Sequence, residues 1–187
     1  MPNSVLTTLA ATLNPAKCIS VVGGALPIAE TGKQATLKSV NLVSVGSNAI
    51  GIKFDLCGFP GEKVFLAGYE MHRACDAIIF CQLDHEGFVL CCELKSSEPS
   101  YHAAASQFSS AHCFTDYIDS ILKQYHNLSI HNWKRRYFLF HNAGKTPLTI
   151  PPLVDHAPVN DQPEKALFVP VHNGQSIYLR KLLGKPL

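Results

Sequence analysis

The sequence predicts an α/β domain built on a mixed central β-sheet flanked by helices, and three observations lead there. Two apolar runs, Ala74-Cys75-Asp76-Ala77-Ile78-Ile79-Phe80 and Phe88-Val89-Leu90-Cys91-Cys92-Glu93-Leu94-Lys95, flank a polar stretch, residues 82–87, that ends in Gly87. They read as an antiparallel hairpin whose strands are apolar on both faces, as expected of a sheet covered on each side. Next, an alanine-rich segment from Ser100 to Gln124 places Tyr101, Ala104, Ala105, Phe108, His112, Thr115, Ile118 and Leu122 at helical spacing. Finally, Tyr137-Phe138-Leu139-Phe140 is another apolar run of strand length.

Composition agrees with an ordered globular chain. At 187 residues the simplest organisation is a single domain over 1–187, large enough for a substantial core. Hydrophobic residues make up 47% and charged residues 16%, which argues against a disordered polymer. The net charge of +2 gives no global basic field, so any nucleic-acid surface must be local. No run approaches the ~20 apolar residues of a membrane-spanning helix, and no basic start precedes an apolar signal core. Seven cysteines without a Cys-x-x-Cys pair read as buried, reduced thiols. A cytoplasmic protein with no membrane partner is the expectation.

In chain order, residues 4–13 carry Val5, Leu6, Leu9 and Leu13 at helical spacing behind a Ser4 cap, and Asn14-Pro15 stops that helix. Residues 18–31 read as extended chain and loop. Gly23-Gly24 lacks the lysine and serine of a phosphate-binding loop. Strands are predicted over 35–45 and 49–57, then a turn at Gly58-Phe59-Pro60-Gly61 and a short strand from Lys63 to Ala67. After the hairpin, the long helix and the 137–140 strand, residues 143–165 are proline-rich and irregular. Two last strands, 165–172 and 175–182, flank Asn173-Gly174, which reads as the turn of a C-terminal β-hairpin.

The chemistry concentrates in the first hairpin. Val89, Cys91, Glu93 and Lys95 share one face of a period-two strand, and hairpin pairing brings Asp76 to Glu93. Two carboxylates at the edge of an apolar core repel each other and are poorly solvated unless a cation lies between them. Hard oxygen donors of this kind suit Mg²⁺ or Mn²⁺. A lysine two residues further on can orient a metal-activated water or offset phosphate charge.

Asp76, Glu93-Leu94-Lys95 and the downstream helical Gln107 together resemble the core of the PD-(D/E)XK nuclease superfamily, over roughly residues 74–140. The resemblance implies a restriction-endonuclease-like fold, here with extra N-terminal strands and the C-terminal β-hairpin, in which residues 137–140 supply the fourth core strand. It implies that Asp76, Glu93 and the Leu94 backbone carbonyl bind Mg²⁺ or Mn²⁺, that Lys95 serves the hydrolytic water, and that Gln107 supports the site or the nucleic-acid backbone. Cys75 stands where the family usually has proline, and Glu30, Glu62 and Glu70 are the candidates for a further upstream acid. The implied activity is metal-dependent phosphodiester hydrolysis, on DNA rather than RNA. The implied setting is a homodimer or larger complex of a bacterial phage-defence or mobile-element system.

Arg73 and the run Lys134-Arg135-Arg136 beside Trp133 are the candidate phosphate contacts, cations for phosphate and an aromatic for stacking. Their other reading is solvated charge around strand entries, and the same holds for His72. Asp84 and Glu86 read as a polar hairpin tip, and Glu98 as helix-entry chemistry. Two rival functions stand beside the nuclease. One is a catalytically silent form of the same fold acting as a binding or assembly subunit. The other is a cysteine–histidine hydrolase, against which no cysteine sits at an evident strand-to-helix nucleophile turn.

Overall fold

The computed structural model describes residues 4–46, 48–54, 73–97, 101–144 and 160–186. Ser4 caps helix α1 (Val5–Thr12) by accepting the Thr7 N–H, and Asn14 opens a 3-10 turn at Pro15–Lys17. Strands β1 (Cys18–Ile19), β2 (Ala25–Ala29), β3 (Ser39–Val43) and β4 (Ala49–Lys53) follow. The hairpin strands are β5 (Ala77–Leu83) and β6 (Glu86–Lys95), and the long helix is α2 (Tyr101–His126). The chain closes with β7 (Lys134–Asn142), β8 (Leu167–Val171), β9 (Gln175–Tyr178) and the short helix α3 (Leu179–Leu182). Glu62, Glu70, His72, Glu98 and the strand expected at 63–67 lie outside the described residues.

Six strands form a mixed sheet in the order β1-β4-β5-β6-β7-β8. Strands β4, β5 and β6 are an antiparallel meander, whereas β7 and β8 run parallel to β6. The parallel step from β6 to β7 needs a long crossover, and α2 supplies it. No described helix is long and apolar enough to cross a membrane.

Two apolar layers sandwich this sheet. On one face Leu6, Leu9 and Leu13 of the α1 region and Ala104, Phe108, Ala111, Ile118 and Leu122 of α2 pack on Ile78, Phe80, Val89, Cys91, Tyr137 and Leu139. On the other face a second sheet, β2-β3-β9, buries Leu26, Ile28, Val40, Leu42 and Ile177 against Ile79, Leu90, Phe138 and Phe140. The expectation of a sheet covered on both faces holds, but helices α1 and α2 flank it on one side only. The three-stranded sheet and α3 cover the other.

The expected C-terminal β-hairpin does not form. β8 pairs with β7 in the large sheet, whereas β9 pairs parallel to β3 in the small one. The turn between them is docked onto β3: Lys38 and Ser39 N–H groups donate to Asn173 Oδ1 at 2.8 and 3.0 Å, and the Gly174 N–H donates to the Ser39 carbonyl at 2.8 Å. Gly174 takes φ 75°, so the Asn-Gly pair does turn the chain, but it hands the chain from one sheet to the other.

The first hairpin forms with a tighter turn than residues 82–87 implied. Only Asp84 and His85 lie between paired strands, with φ 51° and 66°, the positive pair that a two-residue type I′ turn requires. The tip is anchored by ion pairs from Asp84 to Arg180 (2.6 Å) and from Glu86 to Lys185 (2.7 Å) and Lys134. Gly87 lies in β6, beneath the Trp133 indole. A Cβ there would come within 2.4 Å of the ring carbons. Gly87→Ala is therefore expected to destabilise the protein by about 1–3 kcal/mol in urea denaturation, the range for overpacking a filled site. Trp133→Leu in the same chain should recover part of that loss, a coupling that a double-mutant cycle reads directly.

Candidate functional site

At the end of the large sheet opposite the hairpin tip, the β5–β6 ladder closes on Ala77 paired with Cys92, so the next residues, Asp76 and Glu93, face each other. They are locked reciprocally. The Asp76 N–H donates to Glu93 Oε2 at 3.1 Å, and the Leu94 N–H donates to Asp76 Oδ2 at 2.7 Å. Each carboxylate thus fixes the backbone of the strand that carries the other. Alternation puts Asp76, Glu93 and Lys95 on the same side of the sheet as Ile78, Val89 and Cys91, the side covered by α2.

Gln107 reaches in from α2. Its Nε2 donates to Glu93 Oε1 at 2.8 Å and to the Ala74 carbonyl at 2.9 Å, tying the helix to both hairpin strands at the acid pair. Lys95 Nζ donates to the same Glu93 Oε1 in a close ion pair. Asp76, Glu93, Lys95 and Gln107 therefore form one contiguous cluster, with the Leu94 backbone between the two acids.

The electrostatics follow from burial. Glu93 is only 2% exposed. Desolvation holds its carboxyl above the usual range, opposed by the Lys95 ammonium, the Gln107 amide and the Asp76 N–H. Asp76 is pushed up to about 8, first by burial, then by the Glu93 charge and, after the opposing Leu94 N–H, by the Glu30 charge. Glu30, at the end of β2, accepts from the Gly32 N–H, and the loop after it is joined to the site's rim by the Thr36 N–H donating to Ser96 Oγ at 2.7 Å. Of the three upstream acids considered, Glu30 is the one within the described residues, and it faces Asp76 electrostatically.

Among the described residues no group of three or more His, Cys, Asp or Glu side chains is placed to hold a metal ion. The donor set nonetheless fits a hard cation. Mg²⁺ is commonly held by one or two carboxylates and keeps several waters, so two acids and a backbone carbonyl are sufficient protein ligands. A divalent ion would also relieve the repulsion that raises Asp76.

The candidate phosphate contacts sit elsewhere. Lys134, Arg135 and Arg136 belong to β7 itself. Lys134 pairs with Glu86, Arg135 pairs with Asp116, and Arg136 Nη1 donates to the Arg135 carbonyl at 2.7 Å. Arg135 also donates to His112 Nε2 at 2.7 Å, which leaves the imidazole proton on Nδ1 to donate to the buried Tyr137 hydroxyl at 2.6 Å. These bonds tie β7 to α2 and to the hairpin tip, far along the strands from Asp76. Arg73 is closer to the acids in sequence, and its Nη1 donates to Ser106 Oγ at 3.3 Å on the helix that carries Gln107.

The cysteines among the described residues are all free. Burial raises Cys75 and Cys92 well above an ordinary thiol and pushes Cys81 up to about 12, so these are unreactive core groups.

What the sequence reading did not contain is the set of backbone anchors, the Leu94 and Asp76 N–H groups and the Ala74 carbonyl. They carry no side-chain signal. The raised acids make a signed prediction about stability. A carboxyl held above its ordinary value contributes stability that is complete below that value and is lost as pH rises through the folded one. In chelator, the wild-type melting temperature should therefore fall between pH 3.8 and about 8 relative to Asp76→Asn, whose slope lacks this component. Parallel melting curves for the two proteins across that window would refute the raised Asp76. No family model, curated protein or solved structure matches this chain.

Proposed function

We propose that the protein is a metal-dependent nuclease that hydrolyses phosphodiester bonds through the cluster at the open end of β5 and β6. The observation that carries this reading is the reciprocal Asp76–Glu93 clasp with Lys95 and Gln107 on the same side. The clasp orders the strand ends, but Glu93 is buried and Asp76 half-buried, and apolar residues of similar volume would stabilise such positions better, which leaves the charge itself to be explained by function. Further support comes from chain order. After α1 and strands β1, β2 and β3, the antiparallel meander β4-β5-β6 is followed by the crossover helix α2 and the parallel strand β7, which in this reading would be the fourth core strand that the resemblance to PD-(D/E)XK nucleases implies.

In this reading Asp76, Glu93 and the Leu94 carbonyl hold Mg²⁺ or Mn²⁺. A bound divalent cation lowers the pKa of coordinated water and offsets charge on the phosphate. The chain's own groups do the rest. Leu94 and Asp76 N–H groups keep the acids oriented, and Gln107 keeps Glu93 Oε1 turned toward the site. Lys95 orients the attacking water through the ammonium that otherwise neutralises Glu93. DNA is the first polymer to test, with RNA beside it, and a homodimer or defence complex is the setting the resemblance favours.

The silent-subunit reading keeps one specific observation in its favour: the Lys95–Glu93 ion pair satisfies Glu93 without any metal. Calorimetric titration with Mn²⁺ separates the two, because a silent module need not bind it.

Duplex, single-stranded and branched DNA and RNA are to be incubated with Mg²⁺, Mn²⁺ or EDTA. Cleavage that requires metal is expected, with Lys95→Ala slower by about 10²–10⁴-fold, the usual contribution of a positioned proton-transfer group. Gln107→Ala should cost roughly 10–100-fold, as for outer-shell partners of metal ligands. Full activity in both Glu93→Gln and Lys95→Ala would refute these roles.

A further inference from the structure

A histidine that the site as described does not use lies beside it. Strand β7 runs parallel to β6 with Glu93 opposite Leu139 and Lys95 opposite His141. Neighbouring residues in register project to the same side of a sheet, on strands about 4.8 Å apart. Leu139 and Tyr137 belong to the layer under α2, so His141, two residues beyond Leu139, shares the side of Glu93 and Lys95. Asp76 on β5, Glu93 and Lys95 on β6 and His141 on β7 thus form a row across three adjacent strands, all at the same end.

Within that row His141 is the group whose hydrogen bonding is incomplete. Its Nδ1 is buried and has no partner among the described residues. The ring as a whole is half-buried. A buried N–H without an acceptor is costlier than a buried lone pair, because unpaired donors are the rarer defect in folded proteins. The economical tautomer therefore carries its proton on Nε2 and leaves Nδ1 as the unpaired acceptor. The Nε2–H is then the ring's donor, held by β7 next to Lys95, on the opposite side of Lys95 from Asp76.

We propose that His141 is a further substrate-contacting residue, whose Nε2–H donates to a phosphate oxygen of the nucleic-acid strand lying across the ends of β5, β6 and β7. The inference rests on the nuclease reading and adds to it a direction. The backbone crosses from the acid pair over Lys95 toward β7. Pro170 of β8, opposite His141, carries no polar side chain, so the row of polar side chains ends at His141.

The test uses the full chain and a fluorescent oligonucleotide with Ca²⁺ in place of Mg²⁺, so that binding is read apart from cleavage. His141→Ala should weaken binding roughly 10–100-fold, the range of a hydrogen bond to a charged group. His141→Gln, which keeps a donor near the Nε2 position, should restore most of it. In ¹⁵N-histidine-labelled wild-type protein the His141 Nε2 resonance should shift when oligonucleotide is added to the Ca²⁺-loaded protein, and this readout needs no variant to fold. If wild type binds and cuts while His141→Ala matches it and the resonance stays still, the inference fails and the nuclease reading stands. If wild type neither binds nor cuts any polymer, the nuclease reading fails and takes this inference with it.

Discussion

The structure turns on a pair of hydrogen bonds that cross where the β5–β6 ladder runs out. Asp76 accepts from the Leu94 N–H, and Glu93 accepts from the Asp76 N–H. A sheet normally frays at such an end, because the last amides have no partner strand. Here the side chains of the two acids replace the missing ladder bonds, so the strand ends stay ordered while carrying charge. The consequence is a repulsion that the fold must hold in place. It does so with Lys95 on one oxygen of Glu93 and Gln107 on the same oxygen, and the second bond of Gln107, to the Ala74 carbonyl, pulls α2 onto both strands. The position of the longest helix is thereby coupled to the position of the acids.

The opposite end of the same hairpin is built on a different principle. Asp84 is exposed and Glu86 half-buried, and they are surrounded by Arg180, Lys185 and Lys134. These partners hold both carboxyls below their usual range, Glu86 at about 2. Charges of this sort in water add little stability singly. Their value is in register: they fix the hairpin tip against the C-terminal segment and the start of β7. The two ends of one hairpin thus separate tasks, with satisfied opposite charges at the tip and a coupled pair of acids, one buried and one half-buried, at the base.

How much of this was legible in the sequence depends on whether a feature is local. Hairpin spacing alone places Asp76 opposite Glu93, since the side-chain period is two and the turn is short. Helical spacing alone brings Gln107 to the near end of α2. Both are short-range consequences of covalent geometry. The C-terminal strands failed for the complementary reason. Asn173-Gly174 is a sound turn signal, but whether two strands flanking a turn pair with each other depends on what else offers a ladder. Here β7 and β3 each offer a parallel edge, and Asn173 itself bonds to Lys38 and Ser39 on the β3 side. The three-stranded sheet in place of a second helical layer escaped for the same reason, because β3 and β9 come from opposite ends of the chain. Gly87 read as turn punctuation, whereas its missing side chain makes room for Trp133, a contact about which local sequence is silent.

The Lys95–Glu93 ion pair connects the static structure to the chemistry proposed for it. Without a cation, the Lys95 ammonium pairs with the buried Glu93, and burial together with the Glu93 charge raises Asp76 to about 8, so near neutral pH Asp76 holds its proton. A single lysine cannot cancel two carboxylates. It neutralises Glu93 and leaves Asp76 as the group that a further positive charge would ionise. Once a divalent ion supplies that charge, Glu93 no longer needs the ammonium, and Lys95 is free to turn toward a water or a phosphate oxygen within reach of its flexible stem. A neutral residue at position 95 would leave Glu93 without its counter-charge, while a second lysine would ionise Asp76 by itself and remove the reason to bind metal. The charge balance at the strand ends, two acids against one base, is the arrangement that keeps the fold intact and the site receptive.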